Sequence, residues 1–67
     1  MNTQMFWCRV KICIRQKGLT QQEAAKACGL SFSTLCNWIK ENANPPLIYV
    51  YRISKYLGVK YEYLING

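Results

Sequence analysis

The chain has 67 residues, nine of them Lys or Arg, three Glu, and neither Asp nor His, for a formal net charge of +6. That length admits one small domain with a modest core and no deep substrate cavity. Without His, the commonest general base and the commonest metal ligand are missing, and Glu23, Glu41 and Glu62 stand far apart in sequence. No enzymatic activity, cofactor or small-molecule substrate is expected.

The positive balance favours an anionic partner: nucleic acid first, then an acidic protein or an anionic lipid surface. An apolar content of 51% is too high for disorder and exceeds what so short a chain can bury, which hints at a partner surface. The longest uncharged run, residues 27–39, holds Gly, Ser, Thr and Asn and falls short of the roughly 20 apolar residues of a membrane span. The N-terminus lacks the basic-then-apolar order of a signal peptide, so no membrane partner and a cytoplasmic location are expected. Cys8, Cys13, Cys28 and Cys36 contain no Cys-x-x-Cys pair. They are expected as free thiols acting as small hydrophobes, with no metal site.

Helical spacing dominates, and the predicted helices cover residues 3–17, 21–28, 31–40, 47–57 and 60–65. In the first, Phe6, Trp7, Val10, Cys13 and Ile14 share an arc of about 120°, the width of a core-facing stripe. Met5, Cys8 and Ile12 form a second apolar group, which either packs under the C-terminal end or meets another molecule. Gly18 ends this helix as a left-handed cap.

Thr20-Gln21-Gln22-Glu23 reads as a capping box opening a short second helix, which Gly29 stops. Ser31 or Ser33 caps the third helix. Two short helices around a Gly-centred turn are the sequence image of a helix-turn-helix. In the third helix Leu35, Trp38 and Ile39 mark the buried side. Opposite them lie Ser33, Cys36, Asn37 and Lys40, with Phe32 and Thr34 flanking. This outward face is short, polar and uncharged until its end, where a solvated helix would carry long charged residues. A major groove asks for such short donors and acceptors near base edges, with cations at the rim for phosphates.

Pro45-Pro46 precedes the fourth helix, and its predicted core arc holds Leu47, Val50, Tyr51, Ile53, Ser54 and Leu57. Tyr49 and Tyr56 fall off this arc. Gly58 caps the helix, and a last helical turn or two follows.

These residues also carry a family resemblance. Arg9-Val10-Lys11, Lys17-Gly18-Leu19-Thr20-Gln21, Ala25, Gly29-Leu30-Ser31, Ser33-Thr34-Leu35 and Trp38-Ile39, in that order, resemble the lambda-repressor-like helix-turn-helix domain of the xenobiotic-response-element type. Pro45-Pro46, Ile53, Lys55, Leu57-Gly58-Val59 and Glu62-Tyr63-Leu64 resemble the fourth and fifth helices of phage-type repressors. Coverage runs from Phe6 to Gly67. The resemblance implies an all-α, five-helix domain spanning residues 1–67, with the helix-turn-helix at helices 2 and 3. It further implies a sequence-specific regulator of transcription, a repressor of phage or prokaryotic type, binding double-stranded DNA as a homodimer.

Carried over residue by residue, the resemblance makes residues 31–40 the recognition helix. Phe32, Ser33 and Asn37 match base-contact positions, with Cys36 beside them. Asn37 suits adenine, Ser33 almost any base, and Phe32 a thymine methyl. Each has a rival role: Phe32 packing on Ile39 or Leu30, Ser33 capping, Asn37 plain surface. Phosphate contacts fall to Gln21, which in the family also braces the recognition helix, and to Ser31, Lys40, Asn42 and Asn44.

The chain departs from the family where Arg, Gln or Lys is frequent on the recognition helix, and where Asn42 and Asn44 replace basic loop residues. Apolar contact should therefore weigh more and the loop's phosphate grip less. Tyr49, Tyr56 and Tyr61, with Ile48 and Tyr63, are the dimer candidates; the tyrosines can instead lean their rings on the core. Three other classes fit the same residues. One is a protein-interaction module, such as the docking domain of an antitoxin or regulator, with weak non-specific DNA binding. The others are a cationic membrane-surface protein and a redox or metal sensor acting through Cys36.

Overall fold

Each of the first three helices begins where a side-chain oxygen can accept from a free N–H of the first turn. The computed structural model describes residues 1–66. It contains α1 (Thr3–Gln16), α2 (Gln21–Ala27), α3 (Phe32–Glu41), α4 (Leu47–Leu57) and α5 (Tyr61–Asn66), with no strand among the described residues. Gly67, where the family resemblance ends, lies outside them. Every helix end falls within one residue of its predicted place.

The caps explain that agreement. Asn2 accepts from Met5 N–H at 3.0 Å to start α1. At α2 the capping box is complete: Thr20 Oγ1 accepts from Glu23 N–H at 3.1 Å, and Glu23 Oε1 accepts from Thr20 N–H at 3.1 Å. Ser31 caps α3, accepting from Thr34 N–H at 3.1 Å, so Ser33 is free of that role. Pro46 starts α4 without a side-chain cap; its fixed φ is already suited to a helix entrance.

Helices α1 to α4 all end on the same backbone bond. It runs from Leu19 N–H to Ile14 O (3.0 Å), Leu30 to Ala25 (2.9 Å), Ala43 to Trp38 (2.9 Å) and Val59 to Ser54 (3.1 Å). This closure needs one left-handed residue just before the donor. Glycine fills it after α1, α2 and α4, whereas after α3 it is Asn42, at φ 53°.

The core is built across all five helices. Phe6, Trp7, Val10, Cys13 and Ile14 of α1 are buried, as are Ala24 and Ala25 of α2, Cys28 after it, Leu35 of α3, Val50, Ile53 and Leu57 of α4, and Leu64 of α5. The predicted stripe of α1 is thus the buried one. Its second group, Met5, Cys8 and Ile12, is exposed to solvent and not packed under the C-terminal end.

In α4 the predicted arc is too wide. Leu47 is 76% and Tyr51 53% exposed, while Val50, Ile53, Ser54 and Leu57 are buried. Leu47 and Tyr51 form one edge of the apolar arc, and α1, α2 and α5, which pack on α4, leave that edge uncovered. Ser54 can sit in the core because its hydroxyl donates to Tyr51 O at 2.8 Å, so burial leaves no polar atom unpaired.

An aromatic row ties the far end of α3 to the rest. Phe6 meets Trp7 edge-on (centroids 4.8 Å apart), Trp7 meets Trp38 of α3 at 6.2 Å, and Trp38 meets Tyr49 of α4 at 5.5 Å. The Trp7 indole N–H donates to Ala43 O at 2.8 Å, anchoring the chain immediately after α3.

Candidate nucleic-acid interface

Helices α2 and α3 are joined by Cys28-Gly29-Leu30-Ser31, a four-residue turn in which Gly29 takes φ 77°. A side chain there would be strained by the backbone and would meet Arg52 Nη1, 3.2 Å from the position of a Cβ. On α2 the small Ala24 and Ala25 are buried and let it lie close to its neighbours, with α3 packed on it. The helix-turn-helix predicted from the sequence is therefore present.

On α3, Ser33, Asn37 and Lys40 are exposed on the side opposite Leu35. Phe32, at the helix start, is 47% exposed, so its ring is available to a partner and not absorbed by the core. Cys36 is half-buried beside them, and its thiol donates to Gln21 Oε1 at 3.7 Å. Gln21, the first residue of α2, therefore touches the middle of α3 and leaves its amide N–H donors for an outside acceptor. The structure brings these six residues onto one side of the helix-turn-helix.

The remaining phosphate candidates differ in what they can still offer. The Ser31 hydroxyl accepts from Thr34 N–H and donates to Thr34 Oγ1 at 2.7 Å. A phosphate at this end would be met by backbone N–H groups more than by that hydroxyl. Asn42 is the left-handed closing residue of α3, and Asn44 is exposed in the following loop. Asn42 thus has a backbone role that the sequence reading did not assign. Replacing Asn42 with Gly should raise the melting temperature by about 2–4 °C, since glycine takes this conformation without strain. Any loss of DNA affinity in the same variant would come from the amide and not from misfolding, and a melt beside a binding titration separates the two.

Of the dimer candidates, Tyr61 is 50% exposed, whereas Tyr49 and Tyr56 are half-buried, Tyr56 against the core and Tyr49 against Trp38. The most exposed apolar side chains nearby are instead Leu47, Ile48 and Tyr51. Together with Val50 and Tyr61 they line an open groove of about 480 Å³. Tyr49 meets the ring of Trp38 at a steep angle and carries the guanidinium of Arg52 at 5.4 Å from its ring. Arg52, which the sequence reading passed over, also donates to Cys28 O at 3.5 Å. Its signal was present as an aromatic and a cation three residues apart on one helix, a spacing that lets the two meet.

The four cysteines are free thiols: Cys8 exposed, Cys36 half-buried, Cys13 and Cys28 buried. Burial raises the Cys28 thiol above its ordinary value of 9.0, an effect that the Arg52 charge partly opposes. A disulfide reagent at pH 8 should label Cys8 fastest, Cys36 more slowly, and Cys13 and Cys28 only as the domain opens. The linkage has a definite sign. Above pH 9.0 the unfolded chain releases a Cys28 proton that the folded chain retains, so stability falls as pH rises through that range.

Among the described residues, no group of three or more Cys, Asp, Glu or His is placed to hold a metal ion, and no helix is long and apolar enough to cross a membrane. Comparison with curated proteins finds no match, and neither does comparison with solved structures. A family model described as helix-turn-helix matches residues 10–64, from the core of α1 into α5. With the capped turn between α2 and α3 and the polar outer face of α3, that match identifies the chain as a member of the helix-turn-helix family of lambda-repressor-like, DNA-binding domains.

Proposed function

We propose that this domain is a sequence-specific regulator of transcription, a repressor, that binds double-stranded DNA as a homodimer through α3. One observation carries the reading: the exposed face of α3 is short, polar and uncharged up to Lys40, with a solvent-facing Phe32 at its entrance. In this reading Asn37, Ser33, Phe32 and Cys36 meet base edges. Gln21, Lys40, Asn42, Asn44 and the N–H groups around Ser31 meet phosphates. Repression is steric, by occupancy of the site.

A single recognition helix brings only three or four side chains to base edges, so two copies with half-sites about one helical turn apart would be needed for a selective site. The groove of Leu47, Ile48, Tyr51 and Tyr61 suits that second copy better than Tyr49 or Tyr56, which are already packed. Tyr51→Glu should leave the melting temperature nearly unchanged, because the ring is 53% exposed, yet convert a sedimenting dimer to a monomer. A wild-type chain that is monomeric at micromolar concentration, with DNA and without, removes the dimer from the proposal.

Selection of duplexes from a random library tests the whole reading. A shared palindromic site bound roughly a thousandfold or more tighter than random DNA is the expected result. Protection of Cys36 from a thiol reagent by that duplex, with Cys8 still labelled, would place α3 in the groove. The same apolar groove also favours a second reading, a docking domain for another protein. Absence of any enriched site, with binding that vanishes as salt rises, would support that alternative.

A further inference from the structure

Arg52 stands on α4 at the side turned toward the α2–α3 turn, and two contacts locate its guanidinium. Nη1 donates to the Cys28 carbonyl at the end of α2, at 3.5 Å. The guanidinium carbon lies 5.4 Å from the centre of the Tyr49 ring. Nη1 is also 3.2 Å from where a Cβ on Gly29 would stand, so the group covers the left-handed residue of the turn itself. A cation at the C-terminal end of α2 also meets the negative end of that helix.

From Tyr49 the contacts continue. Its ring meets Trp38 on α3 at 5.5 Å, Trp38 meets Trp7 at 6.2 Å, and the Trp7 N–H holds Ala43 O at 2.8 Å. One end of this row grips the turn before α3, and the other grips Ala43, two residues past its end. Leu35 is the only α3 side chain fully in the core, with Trp38 and Ile39 packed part-buried beside it, so the orientation of α3 is set by its seat on α2 together with what holds its two ends.

We propose that Arg52 is a positioning residue for the recognition helix. It clamps the α2–α3 turn against α4 and, through Tyr49 and Trp38, sets the tilt at which Ser33, Asn37 and Lys40 are presented. Its charge is committed to protein and not to phosphate. The proposal rests on the reading of α3 as the DNA-contacting helix. It draws on the extended planar guanidinium of arginine, which reaches the ring and the carbonyl at once; the compact ammonium of lysine, on a shorter group, spans the two less well.

Arg52→Met keeps the apolar stem and removes the fork, and Arg52→Lys keeps the charge alone. Both should fold, because Arg52 is a surface residue. The readouts are the amide and indole NMR spectra of the free proteins, and affinity for the library-selected duplex over a salt series. Both variants should bind roughly tenfold more weakly, with the slope of log affinity against log salt unchanged. Their shift changes should reach Gly29 to Thr34 and the Trp38 indole. Tyr49→Leu added to Arg52→Met should weaken binding no further than the worse single variant, as members of one unit behave.

A slope reduced by about 0.9 in Arg52→Met, with Arg52→Lys binding like wild type, would make Arg52 a phosphate contact and overturn the proposal. Unchanged affinity with shifts confined to α4 would overturn it as well. Should the wild-type chain select no duplex, it is the DNA reading that fails. The free-protein spectra then decide the clamp alone: shifts reaching Gly29 and Trp38 uphold it, and shifts confined to α4 refute it.

Discussion

Replacement of Trp7 by Ala should leave the domain largely unfolded at 37 °C. Trp7 is 1% exposed, packs on Phe6 and Trp38, and donates its indole N–H to Ala43 O at 2.8 Å. Truncating a buried Trp removes about 3–5 kcal/mol. A domain of this size has a total stability of roughly 3–10 kcal/mol, so the loss takes a large share of it. Urea unfolding gives the magnitude. Trp7→Phe is the sharper variant, because it retains an aromatic ring in the core while removing the donor to Ala43 along with part of the indole's volume. It should lose about 1–3 kcal/mol globally. It should also speed hydrogen exchange over residues 38–43 beyond what the global loss explains, because the last turn of α3 is then untied. Uniform acceleration across all five helices would show that the bond to Ala43 carries no local role.

Asn37→Ala should have the opposite profile. Asn37 is exposed in the middle of α3, and Ala forms helix better than Asn, so the melting temperature should hold or rise slightly. Binding to the selected duplex should weaken roughly 5- to 150-fold, the range that corresponds to one bidentate base contact of about 1–3 kcal/mol. Discrimination should relax at one base pair per half-site while the salt slope stays the same, since no phosphate contact is removed. Phe32→Ala provides the parallel test of an apolar contact, expected at a thymine. Equal affinity for all duplexes before and after Asn37→Ala would make this residue ordinary surface and leave α3 without its main reader.

The contrast between the two variants follows from where each residue could be read. The start of α2 and the ends of α1, α2 and α4 were legible because caps are local. Thr20 with Glu23, and glycine after α1, α2 and α4, act over a few residues of sequence. The core stripe of α1 was legible for a related reason: a long helix crossing the others has one buried side, and its period shows which. The polar face of α3 was legible through composition, since short side chains without charge are poor filler for an open helix surface.

Other features depended on tertiary packing. Ser31 and Ser33 were equivalent caps by spacing, and only the path of the chain into α3 chose Ser31. On α4 the apolar arc is wider than its neighbours can cover, so periodicity included Leu47 and Tyr51 in the core where packing left them on an open groove. Tyr49 was drawn inward by Trp38, a partner eleven residues away on another helix. Asn42 was not legible as a closing residue because asparagine is a rarer choice than glycine there, although its bonds are local. The reach of Arg52 to the Cys28 carbonyl depends on atoms that the chain brings together only after its helices have packed. Sequence by itself determined the elements and the chemistry of the face they present, because those follow from neighbours along the chain. Tertiary structure decided which apolar surface stays open and which charge is already committed, because both depend on the finite area that five short helices can cover.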